Sequence, residues 1–242
     1  MDAQYLYSLI DDTLGMVKNW HKYIVAIVTD NAANFNTAAK KLCEKHRSII
    51  WVRCTAHCID LMLEDIGKLE DVRDTIDEGK MITSLIYNHQ FMTDLLRVMN
   101  EGREILRPGI TRFATHFVAI ESLCRAKANI MQMFTSTAYV NSDFSRQPLA
   151  RRVQQIVFGE DFWIRAERII DLLEPLVLVL KLVDADTKPT MGFVYDAMDR
   201  AKLAIEQRSR RKYGTYYKKL WKIIDNRWDN QMHQDIHAAG KF

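Results

Sequence analysis

The sequence predicts a mainly α-helical protein carrying one small parallel β-α-β unit near its start. Three observations lead there. Ile24 to Val28 is a continuous apolar run that stops at Thr29-Asp30-Asn31, and Ile49 to Val52 is a second that stops at Arg53-Cys54. Apolar runs without alternation suit strands covered on both faces, as in a parallel sheet. Residues 34–47, between them, have helical spacing. Two strands joined by one helix make a β-α-β unit, with the usual right-handed crossover. Beyond Lys68 apolar residues recur only at helical intervals.

The elements follow in order. Leu6, Leu9, Ile10, Leu14 and Val17 make residues 3–18 an amphipathic helix, mildly weakened by Gly15. The first strand is expected at 23–29. The next helix starts near Asn31 to Asn34, both good cap residues, and buries Phe35, Ala38, Ala39 and Leu42. The second strand is expected at 49–53. A helix over 55–67 then sets Cys58, Ile59, Met62, Leu63 and Ile66 on one face. Residues 69–100 read as one or two helices, with Asn88-His89 as the break, and Pro108-Gly109 marks a loop. Residues 112–134 read as one helix, and the Ser/Thr/Asn-rich stretch 135–148 as a loop. Helices follow at 149–158, 160–183, 190–208 and 214–230, with Pro175 inside the second. The tail, 231–242, has no clear period. The expected division is 1–68 and 69–242.

Composition is that of an ordinary globular chain, with 48% hydrophobic and 27% charged residues. The net charge of +3 is unevenly spread. Residues 1–100 hold 11 Lys/Arg against 14 Asp/Glu, and residues 101–242 hold 23 against 17. Four scattered cysteines do not make a disulfide framework, which points to an intracellular chain. The longest apolar stretch, Leu172 to Val183, is interrupted by Glu174, Pro175 and Lys181, so no membrane span is expected.

Several stretches resemble a known family. VTDNAANFNTAAKKL (28–42) and WVRCTAHCIDLMLEDIGKL (51–69) look like the core of hAT-superfamily transposases, in particular the transposon-derived proteins of plants. The resemblance continues through PGITRFATHF (108–117), residues 181–202 and residues 223–242. It implies a ribonuclease-H-like catalytic domain interrupted by a helical insertion domain. It also implies, for an intact parent, DNA transposition by magnesium-dependent strand cleavage and transfer. By resemblance Asp30 is the second of three catalytic acids. The first would lie on a strand of an antiparallel meander ahead of residue 3, and the third in a Ser-rich Glu-Arg motif absent here. The chain is therefore expected to be a partial ribonuclease-H-like core truncated at both ends. The resemblance further assigns Cys54-x-x-His57 to a motif close to the active site. It assigns Thr111-Arg112-Phe113 to a motif whose aromatic packs near a flipped base, with Phe in place of the usual Trp.

Each candidate also has a plain structural reading. Asp30 suits a turn or a helix cap. Cys54 and His57 suit a buried strand end and a locally bonded helix start. Zinc at Cys54, His57 and Cys58 lacks a second ligand pair, since Cys43 and Cys124 stand alone and His233 and His237 are far off in the chain. Arg112 suits an ion pair and Phe113 a core position. Residues 202–222 hold eight Lys/Arg against one acid, Glu206, with Tyr213, Tyr216, Tyr217 and Trp221 interleaved. Arg208, Arg210, Arg211 and Lys212 are thus candidate DNA contacts and a weak nuclear-targeting patch, or else a solvated helix face.

One acid of three is too little for two-ion chemistry, so a catalytically inactive transposase-derived chain is expected, with no bound cofactor. The alternatives are a domesticated DNA-binding or protein-interaction module, and an active nuclease. An unpaired strand edge would favour self-association.

Overall fold

A computed structural model of the chain describes residues 2–109, 112–185 and 191–232, with the Met191 side chain left out. It is mainly helical with one two-stranded parallel sheet, as expected. The chain divides into two compact units.

The first unit takes Met1–Met62, Val179–Asp199 and Lys222–Phe242. It opens with α1 (Ala3–Met16), β1 (Ala26–Thr29), α2 (Ala33–Lys45) and β2 (Ile50–Arg53), followed by the start of α3 (Thr55–Gly67). The strands pair in register from Ala26 opposite Ile50 to Thr29 opposite Arg53. β1 is shorter than the apolar run suggests. The amides of Tyr23 and Ile24 both bond the Trp20 carbonyl in a 3-10 turn, so the chain becomes extended only after them. Leu14 of α1, Leu42 of α2 and Ile49 form a small core, against which Ile24 and Ile27 pack.

Coverage of the sheet is uneven. Val28 follows Ile27 and so faces the other way. On that opposite face Val52 is buried, but Val28 and Ile50 are 55% and 54% exposed. Unbroken apolar sequence there does not mean cover on both faces.

The second unit takes Leu63–Leu178 and Arg200–Trp221. Its first elements are α4 (Glu70–Tyr87), α5 (Gln90–Met99), α6 (Ala114–Arg125), α7 (Lys127–Thr135) and α8 (Thr137–Val140). They are followed by α9 (Pro148–Phe158) and by parts of α10 (Glu160–Val183), α11 (Val194–Lys212) and α12 (Tyr217–Arg227). The core gathers Ile82, Leu85, Leu123, Phe134, Val153 and Trp163, with the Trp163 indole N–H donating to the Val157 carbonyl at 2.8 Å. Gly79 lets α4 and α6 approach closely, since a Cβ there would sit 2.5 Å from Ile120 Cδ1.

Two readings change here. The single helix expected over 112–134 breaks at Ala126, whose amide bonds back to the Ser122 and Leu123 carbonyls before α7 begins. The expected loop 135–148 contains α8 and a 3-10 turn, Asp143–Arg146, started by Ser136 and Ser142, whose hydroxyls accept the Tyr139 and Ser145 amides. Ser-rich sequence there marks caps rather than unstructured chain.

Candidate functional site

The carboxyl ends of β1 and β2 bring together Asp30, Asn31, Arg53, Cys54, His57 and Cys58, all in the first unit. Asp30 is exposed at the end of β1. Its Oδ1 accepts the Ala32 amide at 3.0 Å, an Asx turn that carries the chain from strand to α2. Behind it the Thr29 hydroxyl donates to the Asp30 carbonyl at 2.9 Å and accepts the Trp51 indole N–H at 2.9 Å.

Asn31 turns the other way. Its Nδ2 donates to Cys58 Sγ at 2.8 Å, and its Oδ1 is buried without a partner. Cys58 is fully buried, and that burial pushes its thiol above the ordinary range, partly offset by the Asn31 hydrogen bond. It is therefore a neutral thiol at neutral pH rather than a nucleophile or metal ligand.

Cys54 ends β2, its amide bonding the Thr29 carbonyl at 2.7 Å, and its carbonyl accepts the Cys58 amide at 3.0 Å inside α3. The His57 ring makes no hydrogen bond among the described residues. No group of three or more His, Cys, Asp or Glu able to hold a metal occurs among the described residues. His233 and His237 lie outside the described residues.

Arg53 closes the edge. Its guanidinium donates to the carbonyls of Asn230 and Gln231, each at 3.2 Å, and lies 5.1 Å from the Trp51 ring. Those carbonyls belong to a π-turn, Trp228–Met232, at the end of α12. The last carbonyls of a helix have no partner within it, and a guanidinium is well shaped to take two of them. Arg227 braces the same turn by donating to Gln231 Oε1 at 3.1 Å. The sequence offered Asn31 only as a helix cap, whereas Ala32 holds the cap position of α2 and Asn31 reaches Cys58 instead, and it did not single out Arg53 or Gln231. A polar residue ending an apolar strand was the signal for Arg53. Gln231 lies 178 residues further on in a stretch without period, and gave none.

The remaining candidates lie elsewhere. Thr111 is outside the described residues, and Arg112 is exposed. Phe113 stacks edge-on to His116 at 4.8 Å and covers Gly67, where a Cβ would fall 2.1 Å from its Cζ. It fills a packing position in the second unit.

Three of the four candidate cations of α11, Arg208, Arg210 and Lys212, are paired within that unit. Arg208 donates to Glu174 at 2.7 Å, and Lys212 reaches Asp171 at 3.4 Å. Arg210 pairs with Glu206 at 2.7 Å and lies over the Tyr217 ring. Tyr216 donates to Asp71 at 2.8 Å, and burial together with that carboxylate drives its phenol strongly upward, so it stays a donor. Arg211 is exposed and has no ion pair among the described residues, and the same holds for Lys218 and Lys219. No described helix is long and apolar enough to cross a membrane.

Neither the curated proteins nor the solved structures contain a match to this chain. Residues 1–82, which carry the whole strand edge, match the family model described as a domain of unknown function, DUF659.

Proposed function

We propose that the chain derives from an hAT-type transposase and that its strand edge no longer performs phosphoryl transfer. The observation behind this is the use to which the edge is put. Arg53 binds the π-turn at Asn230 and Gln231, and Asp30 spends an oxygen on the Ala32 amide. Two-ion chemistry needs several carboxylates around ions about 4 Å apart. Magnesium prefers hard oxygen ligands, whereas Asn31, Cys58 and Arg53 of the same strand edge offer an amide bonded to a thiol and a guanidinium bonded to backbone carbonyls. The described residues therefore do not fit a magnesium pair, and Asp30 acts as a turn former.

Melting Asp30→Asn and Asp30→Ala beside the wild type tests this. Asn keeps the acceptor, so its stability should match wild type. Ala should lose about 0.5–1.5 kcal/mol, the worth of one net hydrogen bond. Equal stability of all three proteins would count against the turn role.

A second reading is non-specific DNA binding through the exposed cations of α11 and α12. The absence of ion pairs at Arg211, Lys218 and Lys219 among the described residues favours it. Replacing those three with Ala should weaken DNA binding and flatten its dependence on salt by about two to three units of log–log slope. Arg208→Ala should not flatten it, because Arg208 is already spent on Glu174. An unchanged slope in the triple variant would return these residues to a solvated helix face.

A further inference from the structure

We infer that a groove on the second unit, between the α8 and 3-10 turns and helix α9, binds a nucleoside phosphate. The groove is an open cavity of about 600 Å³, within the range of small-molecule sites. Helix α9 supplies one wall. Ala150, Val153 and Val157 are buried, and Arg151, Gln154, Gln155 and Phe158 line the groove. Those four follow the spacing of a single helix face. The helix contains two arginines and no acid.

Charge in the groove is positive and largely unspent. Arg151 is exposed and has no ion pair among the described residues. Arg146, on the other wall, reaches only the fully exposed Asp143 at 3.6 Å, a contact worth little in water. Among the described residues no acid lines the cavity. Two guanidinium groups facing one groove select an anion, phosphate or carboxylate.

Two further observations narrow the ligand. Phe158 is 43% exposed, leaving part of its ring open beside two side-chain amides. That combination suits a flat heterocycle with donors and acceptors along its edge. Tyr139, on the α8 wall, is wholly buried, and its hydroxyl has no hydrogen-bond partner. A buried hydroxyl without a partner is costly, and since Tyr139 lines the groove, a shift of its cover that brought the hydroxyl to a polar ligand would relieve that cost. Ser145 is not the partner: its hydroxyl donates to the Ser142 and Val140 carbonyls and makes no bond with Tyr139. A nucleoside phosphate carries the anion, the flat ring and the polar edge together. An acidic peptide carries only the first. The inference rests on none of the strand-edge residues.

The test uses the full chain and three probes: labelled oligothymidylate, thymidine monophosphate and a labelled polyglutamate peptide. A nucleotide probe should bind wild type. Arg151→Glu should weaken it tenfold or more, and Phe158→Ala on the order of tenfold, the scale of one stacked base. Tyr139→Phe should weaken it a few-fold while leaving the free protein at least as stable, because the unpaired hydroxyl is gone. Saturation by the monophosphate identifies a free nucleotide as the source, and binding of the oligonucleotide alone identifies a single strand. Failure of both nucleotide probes to bind wild type would overturn the proposal. So would binding indifferent to both Arg151→Glu and Phe158→Ala, or polyglutamate binding as tight as nucleotide and unaffected by Phe158→Ala.

Discussion

At Asp11 one carboxylate holds two side chains from the C-terminal end of α2, Lys45 and the capping residue His46. Lys45 Nζ lies 2.5 Å from one oxygen and His46 Nε2 2.7 Å from the other. The His46 hydrogen bond, and after it Lys45, holds the Asp11 carboxyl below the usual range. The unfolded chain therefore takes up the proton first as pH falls, near pH 3.9. The contribution is present above that value and is lost as pH drops through the lower, folded value. It is modest, because Lys45 is half exposed. Asp11→Asn should be less stable than wild type near neutrality, and the gap between their melting temperatures should close in acid, roughly from pH 5 to pH 2. A gap that is constant with pH would show that charge is not its source. Single residues of this kind were only partly legible. Asp30 as a turn former follows from its place after an apolar run. The Asp11–His46 pair joins residues on separate helices, and no local pattern announces it.

Among the elements, helices were the most legible, because burying one face imposes a period that survives in sequence. The break between α4 and α5 at Asn88-His89, and the course of α10 through Pro175, both follow from such patterns. Element ends set by local backbone hydrogen bonds were not legible. β1 loses its first residues to hydrogen bonds with Trp20, and α6 stops at Ala126 without a breaker residue. Close approaches between elements are likewise invisible without coordinates. Gly67, at the end of α3, is covered by the Phe113 ring. Gly67→Ala should cost about 1–3 kcal/mol, as overpacking does, unless the ring moves. Phe113→Leu in the same chain should recover part of the loss by making room. Chemical denaturation of the single and double variants would measure this. A fully stable Gly67→Ala protein would mean that Phe113 does not pack on α3.

For the whole molecule, the expected break near residue 68 treats the chain as two consecutive pieces, whereas each compact unit is assembled from separated segments. The first unit recruits Val179–Asp199 and Lys222–Phe242, and with them the π-turn that receives Arg53. Local sequence announces strands and helices, but not which distant segment returns to cover a strand edge. That returning segment gives the edge its present chemistry: a guanidinium on backbone carbonyls, a buried neutral thiol, and one carboxylate used for a turn. The proposal that this edge no longer performs phosphoryl transfer is tested most directly by incubating supercoiled plasmid with the purified chain in magnesium and in manganese, beside the Asp30→Ala variant. The account predicts no nicking above buffer for either protein in either metal. Nicking by the wild type that disappears in Asp30→Ala would contradict it.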